Sequence, residues 1–304
     1  MKKPLSTESL QFSYSDQEVL RNISFDAKQG KIIAIIGKSG SGKSTFLKLV
    51  SGIIPTGFTG SIRIFGMPRI FEKRKIGFVA QELSFIPDLN LLDNIKLCGL
   101  NLGITEKLAV KKAKELMSVL RLNESLTKKP TELSGGEKVR FNIILSILHN
   151  PKIIILDEPF VGLDFLNRRL LWHFIGSMKK QKRSIILTSH LLSETQEHAD
   201  RLVILKNGKI FFNGKLESLK EKLKFRFIFE VRFLYFSESN LNKIKRYCDY
   251  KDVQIVDHYQ KYLMFAIPAK RSKDALLSFF DKLKLSYEEV SFREPNLDEI
   301  FLKT

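Results

Sequence analysis

Cysteine is almost absent. Cys98 and Cys248 are the only two in 304 residues, and they stand far apart. That excludes a disulfide framework and points to a reducing compartment. No apolar run reaches the roughly 18 residues that a membrane-crossing helix needs. The longest candidate, residues 141–156, is broken by Asn142, Asn150, Pro151 and Lys152. The first residues, MKKPLSTESLQFSYSD, carry two lysines but no apolar stretch, so they do not read as a secretory signal. A soluble chain is expected, one able to rest against a membrane. Internal repeats and low-complexity tracts are also missing. Acidic residues are scarce, 33 against 51 basic, for a net charge of +18. Such an excess favours an anionic partner: a nucleotide, a nucleic acid or an anionic membrane surface. What is present is enough for a packed interior, with 43% hydrophobic and 28% charged residues. The length suits two domains.

The pattern along the chain is that of an α/β protein. Leu10, Phe12 and Tyr14, and then residues 19–25, alternate as short antiparallel strands do. Residues 31–36 (KIIAII) form a continuous apolar run, as expected of a strand buried on both faces. Residues 153–156, 184–188 and 202–205 read the same way, with helical segments between them. Over 106–120, Leu108, Ala113, Leu116, Met117 and Leu120 fall at helical spacing. This βα alternation predicts a layered fold around a parallel sheet. Near Lys220 the character changes: LKEKLKFR (219–226) is a charged stretch suited to joining domains. Beyond it the order is strand (227–236), helix (239–248), strand (252–259), strand (261–268), helix (271–283), strand (285–293), the βαββαβ order of a ferredoxin-like unit. The expected domains are therefore 1–222 and 223–304.

Two motifs carry phosphate chemistry. Gly37-Lys38-Ser39-Gly40-Ser41-Gly42-Lys43-Ser44-Thr45 follows a predicted strand and opens a helix. Its glycines let backbone N–H groups turn inward around phosphate oxygens, and the helix N-terminus adds partial positive charge. Lys43 reaches the β- and γ-phosphates, and the Ser44 hydroxyl suits Mg²⁺. The run 153–156 then delivers Asp157 and Glu158 to the end of a buried strand, where ligands of α/β sheets bind. Asp157 suits the Mg²⁺ shell, and Glu158 suits the polarising of an attacking water.

Leu133-Ser134-Gly135-Gly136-Glu137 precedes that strand and places Ser134 and two glycines at a second helix start, for a helix running to about His149. With the two motifs above it resembles the signature of ATP-binding cassette (ABC) proteins. The resemblance implies a P-loop NTPase cassette: a RecA-like core, an antiparallel β subdomain and a helical subdomain carrying the signature. It also implies that two cassettes pair head to tail, so that each ATP lies between one phosphate loop and the partner's signature. The family usually has Gln where this chain has Glu137; a carboxylate beside ATP would need Mg²⁺ or Lys138 to offset it. By the same resemblance Tyr14 would stack on adenine, although a strand aromatic in the core is the alternative. Gln81 would be a catalytic and Mg²⁺-binding residue that joins the nucleotide site to the transmembrane coupling surface, with a solvent-facing glutamine as the alternative; Asp164 in Gly162-Leu163-Asp164 would contact the partner cassette, and His190 would act at the γ-phosphate. His149, His173, His198 and His258 show no metal spacing and read as structural or surface groups.

The resemblance covers residues 1 to about 222, and Glu294 to Thr304 looks like the ending of exporter ATPases of the drug, antibiotic, lipid and polysaccharide class. It implies an ATPase using ATP and Mg²⁺, paired with a second copy or a homologous cassette. A membrane permease on a separate chain would hold it at the cytoplasmic face of the cell membrane. The alternative is a non-transport cassette acting on nucleic acid or ribosomes. Against it, no sustained heptads separate the phosphate loop from the signature, and only one phosphate loop is present. Nor is the charge gathered in a tail: residues 223–304 hold 15 basic and 12 acidic residues. A lysine-rich face toward an anionic leaflet accounts for the excess, and no nucleic-acid partner is expected.

Overall fold

A computed structural model describes residues 3–222, 226–251, 253–296 and 299. It divides the chain into two units, Met1–Asn213 and Gly214–Thr304. The first is built around a six-stranded sheet in the order β10-β9-β3-β8-β7-β6. These strands are β3 (Ile32–Ile36), β6 (Ile76–Val79), β7 (Ile153–Leu156), β8 (Ser184–Thr188), β9 (Arg201–Lys206) and β10 (Lys209–Gly214). β3 pairs parallel with both β8 and β9, β7 with β8, and β6 with β7. Every residue of β3, β7 and β8 is buried. Their unbroken apolar runs follow from that position, since neither face meets water.

A second, antiparallel sheet holds β1 (Leu5–Tyr14), β2 (Gln17–Asp26), β4 (Phe58–Ile64) and β5 (Met67–Pro68), in the order β2-β1-β4-β5. Its inward residues Leu10, Phe12, Leu20, Ile23 and Phe25 share one apolar cluster with Ile33 and Ile35 of β3 and with Phe46 and Leu49 of α1 (Lys43–Ser51). Three helices, α2 (Leu91–Asn101), α3 (Glu106–Val119) and α4 (Gly135–Ile147), pack on one another. The buried stripe of α3 is Ala109, Ala113 and Met117, whereas Leu108, expected on that face, is exposed. The small alanines let α3 lie close, and Leu108 sits one position off the i, i+4 line they define. α5 (Phe165–Lys180) and α6 (Leu192–His198) follow β7 and β8.

The second unit opens with α7 (Leu216–Lys222) and continues through β11 (Phe227–Phe233), α8 (Glu238–Tyr250), β12 (Gln254–Tyr259), β13 (Tyr262–Ile267), α9 (Lys270–Lys282) and β14 (Tyr287–Arg293). All three strand pairings are antiparallel, in the order β12-β13-β11-β14. This is the ferredoxin-like arrangement: the first strand lies between the third and the fourth. Phe229, Val231 and Phe233 of β11 alternate inward onto Ile244, Leu276 and Phe280 of the helices. The division of the chain comes earlier than the expected 222/223. β10 completes the central sheet at Gly214, and no later strand among the described residues joins it. Of the expected join, residues 223–225 lie outside the described residues, as do 297, 298 and 300–304 of the exporter-like ending.

Candidate functional site

Because β6, β7 and β8 run parallel with β3, the loops after all four emerge at one edge of the sheet. After β3 comes the phosphate loop. Gly42 adopts φ 101°, and a Cβ there would stand 2.7 Å from Leu20 Cδ2. At Gly37 a Cβ would stand 2.5 Å from the Leu205 carbonyl oxygen. Only glycine therefore fits both positions. The Lys43 ammonium donates to the carbonyls of Gly37 (2.8 Å) and Lys38 (3.3 Å), which aims it back along the loop. Burial lowers its pKa, opposed by the charges of Glu158 and Asp157.

Asp157 and Glu158 follow β7. Asp157 Oδ1 accepts from the Ser44 hydroxyl (3.1 Å) and from the Thr188 hydroxyl (2.8 Å). The same Thr188 oxygen accepts the Glu158 backbone N–H at 2.8 Å. That bond holds Glu158 at φ 50°, a left-handed conformation that non-glycine residues rarely adopt. The Glu158 side chain is buried, and His190 Nε2 lies 3.1 Å from its Oε1. Burial pushes the Glu158 carboxyl above the usual carboxylate range, while His190 and Lys43 draw it back.

One cleft is lined by Ser39, Gly40, Gly42, Lys43, Ser44, Thr45, Gln81, Glu158 and His190. These residues were singled out from the sequence as nucleotide-site candidates, and the fold brings them together. Gln17, Val19 and Val161 also line it and were not anticipated. Gly37, Lys38 and Ser41 belong to the same loop but are not among the lining residues. Tyr14 is not in the lining; it pairs across the hairpin with Gln17, which is. Its ring is half exposed and meets Phe12 edge-on, so it is no core aromatic. Gln81 follows β6, and the loop behind it is braced by two buried asparagines. Asn142 of α4 accepts the Ser84 N–H and donates to the Ala80 carbonyl; Asn94 bonds Ile86 through both N–H and carbonyl. Nothing in a lone Asn marks such a role in sequence; Thr188 and the two asparagines emerge only from long-range contacts.

Leu133, Ser134, Gly135, Gly136 and Glu137 do not line this cleft. Ser134 caps α4 by accepting the Glu137 N–H, and Glu137 Oε2 accepts the Ser134 N–H at 2.8 Å. This is a reciprocal capping box. The Glu137 carboxylate is held by its own helix start, with the Ser134 bonds lowering its pKa. Asp164 caps α5 by accepting the Asn167 N–H. Of the remaining histidines, His149 bonds the Ile76 carbonyl and His198 stacks on Trp172. No group of three or more His, Cys, Asp or Glu that could hold a metal ion occurs among the described residues.

Residues 20–161 match the family model described as ABC transporter. An uncharacterized ABC transporter ATP-binding protein of Methanocaldococcus jannaschii is 34% identical over 225 residues, covering 74% of this chain and 82% of its own length. The linearmycin resistance ATP-binding protein of Bacillus subtilis is 28% identical over 302 residues, covering 98% of this chain and 97% of its own. Among solved structures, a dimeric ATP-binding cassette in a post-hydrolysis state with ADP and phosphate superposes with a TM-score of 0.64 at 25% identity. It covers 70% of this chain and 98% of that one.

Proposed function

The chain belongs to the family of ABC transporter ATP-binding proteins and is a transport ATPase; from that premise we propose that it drives export. In this reading two cassettes bind head to tail and act through a membrane subunit on a separate chain, at the cytoplasmic face. The observation that carries the paired site is the separation of two phosphate-binding elements. Lys43 and Glu158 share a cleft, and Ser134 stands outside it. A second chain supplies what one chain leaves apart. Export is supported by the relative named for linearmycin resistance, whose match spans both units. No helix among the described residues is long and apolar enough to cross a membrane, which suits a peripheral subunit.

The phosphate-loop amides and Lys43 bind the β- and γ-phosphates of ATP. Glu158 takes the proton of the attacking water, with His190 beside it to orient the γ-phosphate. The position of the buried Glu158 carboxylate in the cleft, beside Lys43 and His190, supports that role. Mg²⁺ fits the Ser44 hydroxyl and Asp157 carboxylate, two hard oxygen donors already adjacent, with Gln81 in the lining of the same cleft as Ser44. When bound, it neutralises charge on the phosphates. In this reading Tyr14, paired with the cleft residue Gln17, stacks on adenine, Ser134 and Gly135 act on the partner's nucleotide, and Asp164 contacts the partner cassette.

Glu158→Gln in the full chain tests this. ATP affinity should persist while turnover falls about a hundredfold or more, the size of a positioned general base. ATP should then drive the variant into dimers, read by light scattering. Turnover at the wild-type rate would remove Glu158 from its role. An ATP-saturated variant that stays monomeric would count against the paired site.

A further inference from the structure

The signature lies at the start of α4 and Asp164 at the start of α5, and one side chain joins them. Asn167 donates from its backbone N–H to Asp164 Oδ1 and from Nδ2 to Asp164 Oδ2, both at 2.8 Å. Its Oδ1 accepts from the Arg140 guanidinium, on the second turn of α4. It also packs against the signature itself, since a Cβ on Gly136 would stand 2.8 Å from Nδ2. Gly135, by contrast, faces open space. The chemistry of this link is restrictive. The group between Arg140 and Asp164 must accept from a cation and donate to a carboxylate at once. A carboxamide does both, whereas Asp would set two carboxylates together and an aliphatic side chain would do neither. Both oxygens of Asp164 are thereby occupied within its own chain, and its direction is set by the amide rather than by solvent.

We propose that Asn167 is a positioning residue that locks the signature helix and the Asp164 loop into one body, so that both reach the ATP of a second copy of this chain together. The proposal rests on the paired-site reading. It makes Asn167 act on the partner's nucleotide and not on the one bound by its own phosphate loop.

Mixed dimers of full-length chains test it. Lys43→Ala mixed with Ser134→Arg leaves one complete site per heterodimer, and its ATPase activity is the reference. Asn167→Ala is then added to one chain at a time. On the Lys43→Ala chain it sits beside the signature in use, and activity should fall roughly tenfold or more, as small misplacements of positioning groups do. On the Ser134→Arg chain it sits beside the disabled signature, and activity should stay at the reference. ATP affinity of the single Asn167→Ala chain should match the wild type, since its own phosphate loop is untouched. Equal loss in both placements, or loss in neither, overturns the proposal. Should Asn167→Ala melt early, Asn167→Asp replaces it; it keeps the side-chain volume and the backbone bond and should show the same placement dependence. A reference mixture without heterodimers or without activity removes the paired-site reading itself, and the proposal with it.

Discussion

At Thr188 one hydroxyl serves two acids. It donates to Asp157 and accepts the Glu158 N–H, so it orients one carboxylate and pins the backbone of the other. Thr188→Val keeps the shape and removes both bonds; turnover should fall about ten- to hundredfold with ATP affinity little changed. Thr188→Ser should restore most of it, and a Val variant at wild-type turnover would show that the bonds are incidental. Glu158 gives a pH test. Its base form is lost as pH falls through a pKa that burial raises above the usual carboxylate range. The acid limb of turnover should therefore lie above the ordinary glutamate value. His190 lowers that pKa by its proximity, so His190→Ala should move the limb to higher pH in the residual activity. A limb that stays or moves down would mean that another group titrates.

At the scale of elements, the start of α4 shows how a local rule and a functional motif coincide. Ser134 and Glu137 exchange hydrogen bonds across the first turn, and a Gln three residues after the cap makes the same exchange. Glu137→Gln should thus leave thermal stability nearly unchanged, within about 0.5 kcal/mol. Glu137→Ala loses the return bond to the Ser134 N–H and should cost about 1 kcal/mol, read as a lower melting temperature. A large loss with Gln would mean that the negative charge, and not the cap, is what α4 requires. Neighbouring elements are joined by residues with no motif: Asn142 fastens α4 to the loop after β6, and Asn94 of α2 fastens that loop to its own helix.

At the scale of the whole molecule, each unit has its own apolar cluster, and the phenylalanines of β11 belong to the second one. Phe227, Phe229 and Phe233 face α8 and α9 or the sheet partners beside them. We propose on this basis that the first unit folds without the second. A chain ending at Lys222 should stay soluble and bind ATP with the affinity of the full chain, checked by a thermal melt and a nucleotide titration. Aggregation, or soluble protein that no longer binds ATP, would make residues 223–304 part of the cassette's own folding unit.

The sequence by itself determined what depends on contiguous residues. The phosphate loop needs glycines at set spacing, a strand buried on both faces must be apolar throughout, and a helix start needs its cap within one turn. Hence Gly37 to Thr45, the run before Asp157, Ser134 with Glu137, and the βαββαβ order after Lys220 could all be read directly. Tertiary structure alone decided what depends on residues far apart. The strand order brought the loops after β3, β6, β7 and β8 to one cleft, and parallel pairing put them on the same edge. Long-range hydrogen bonds assigned Thr188, Asn142 and Asn167 their places. A threonine in a strand and an asparagine on a helix look alike in any sequence; which groups they bridge is set by the packing of elements that the chain brings together only on folding.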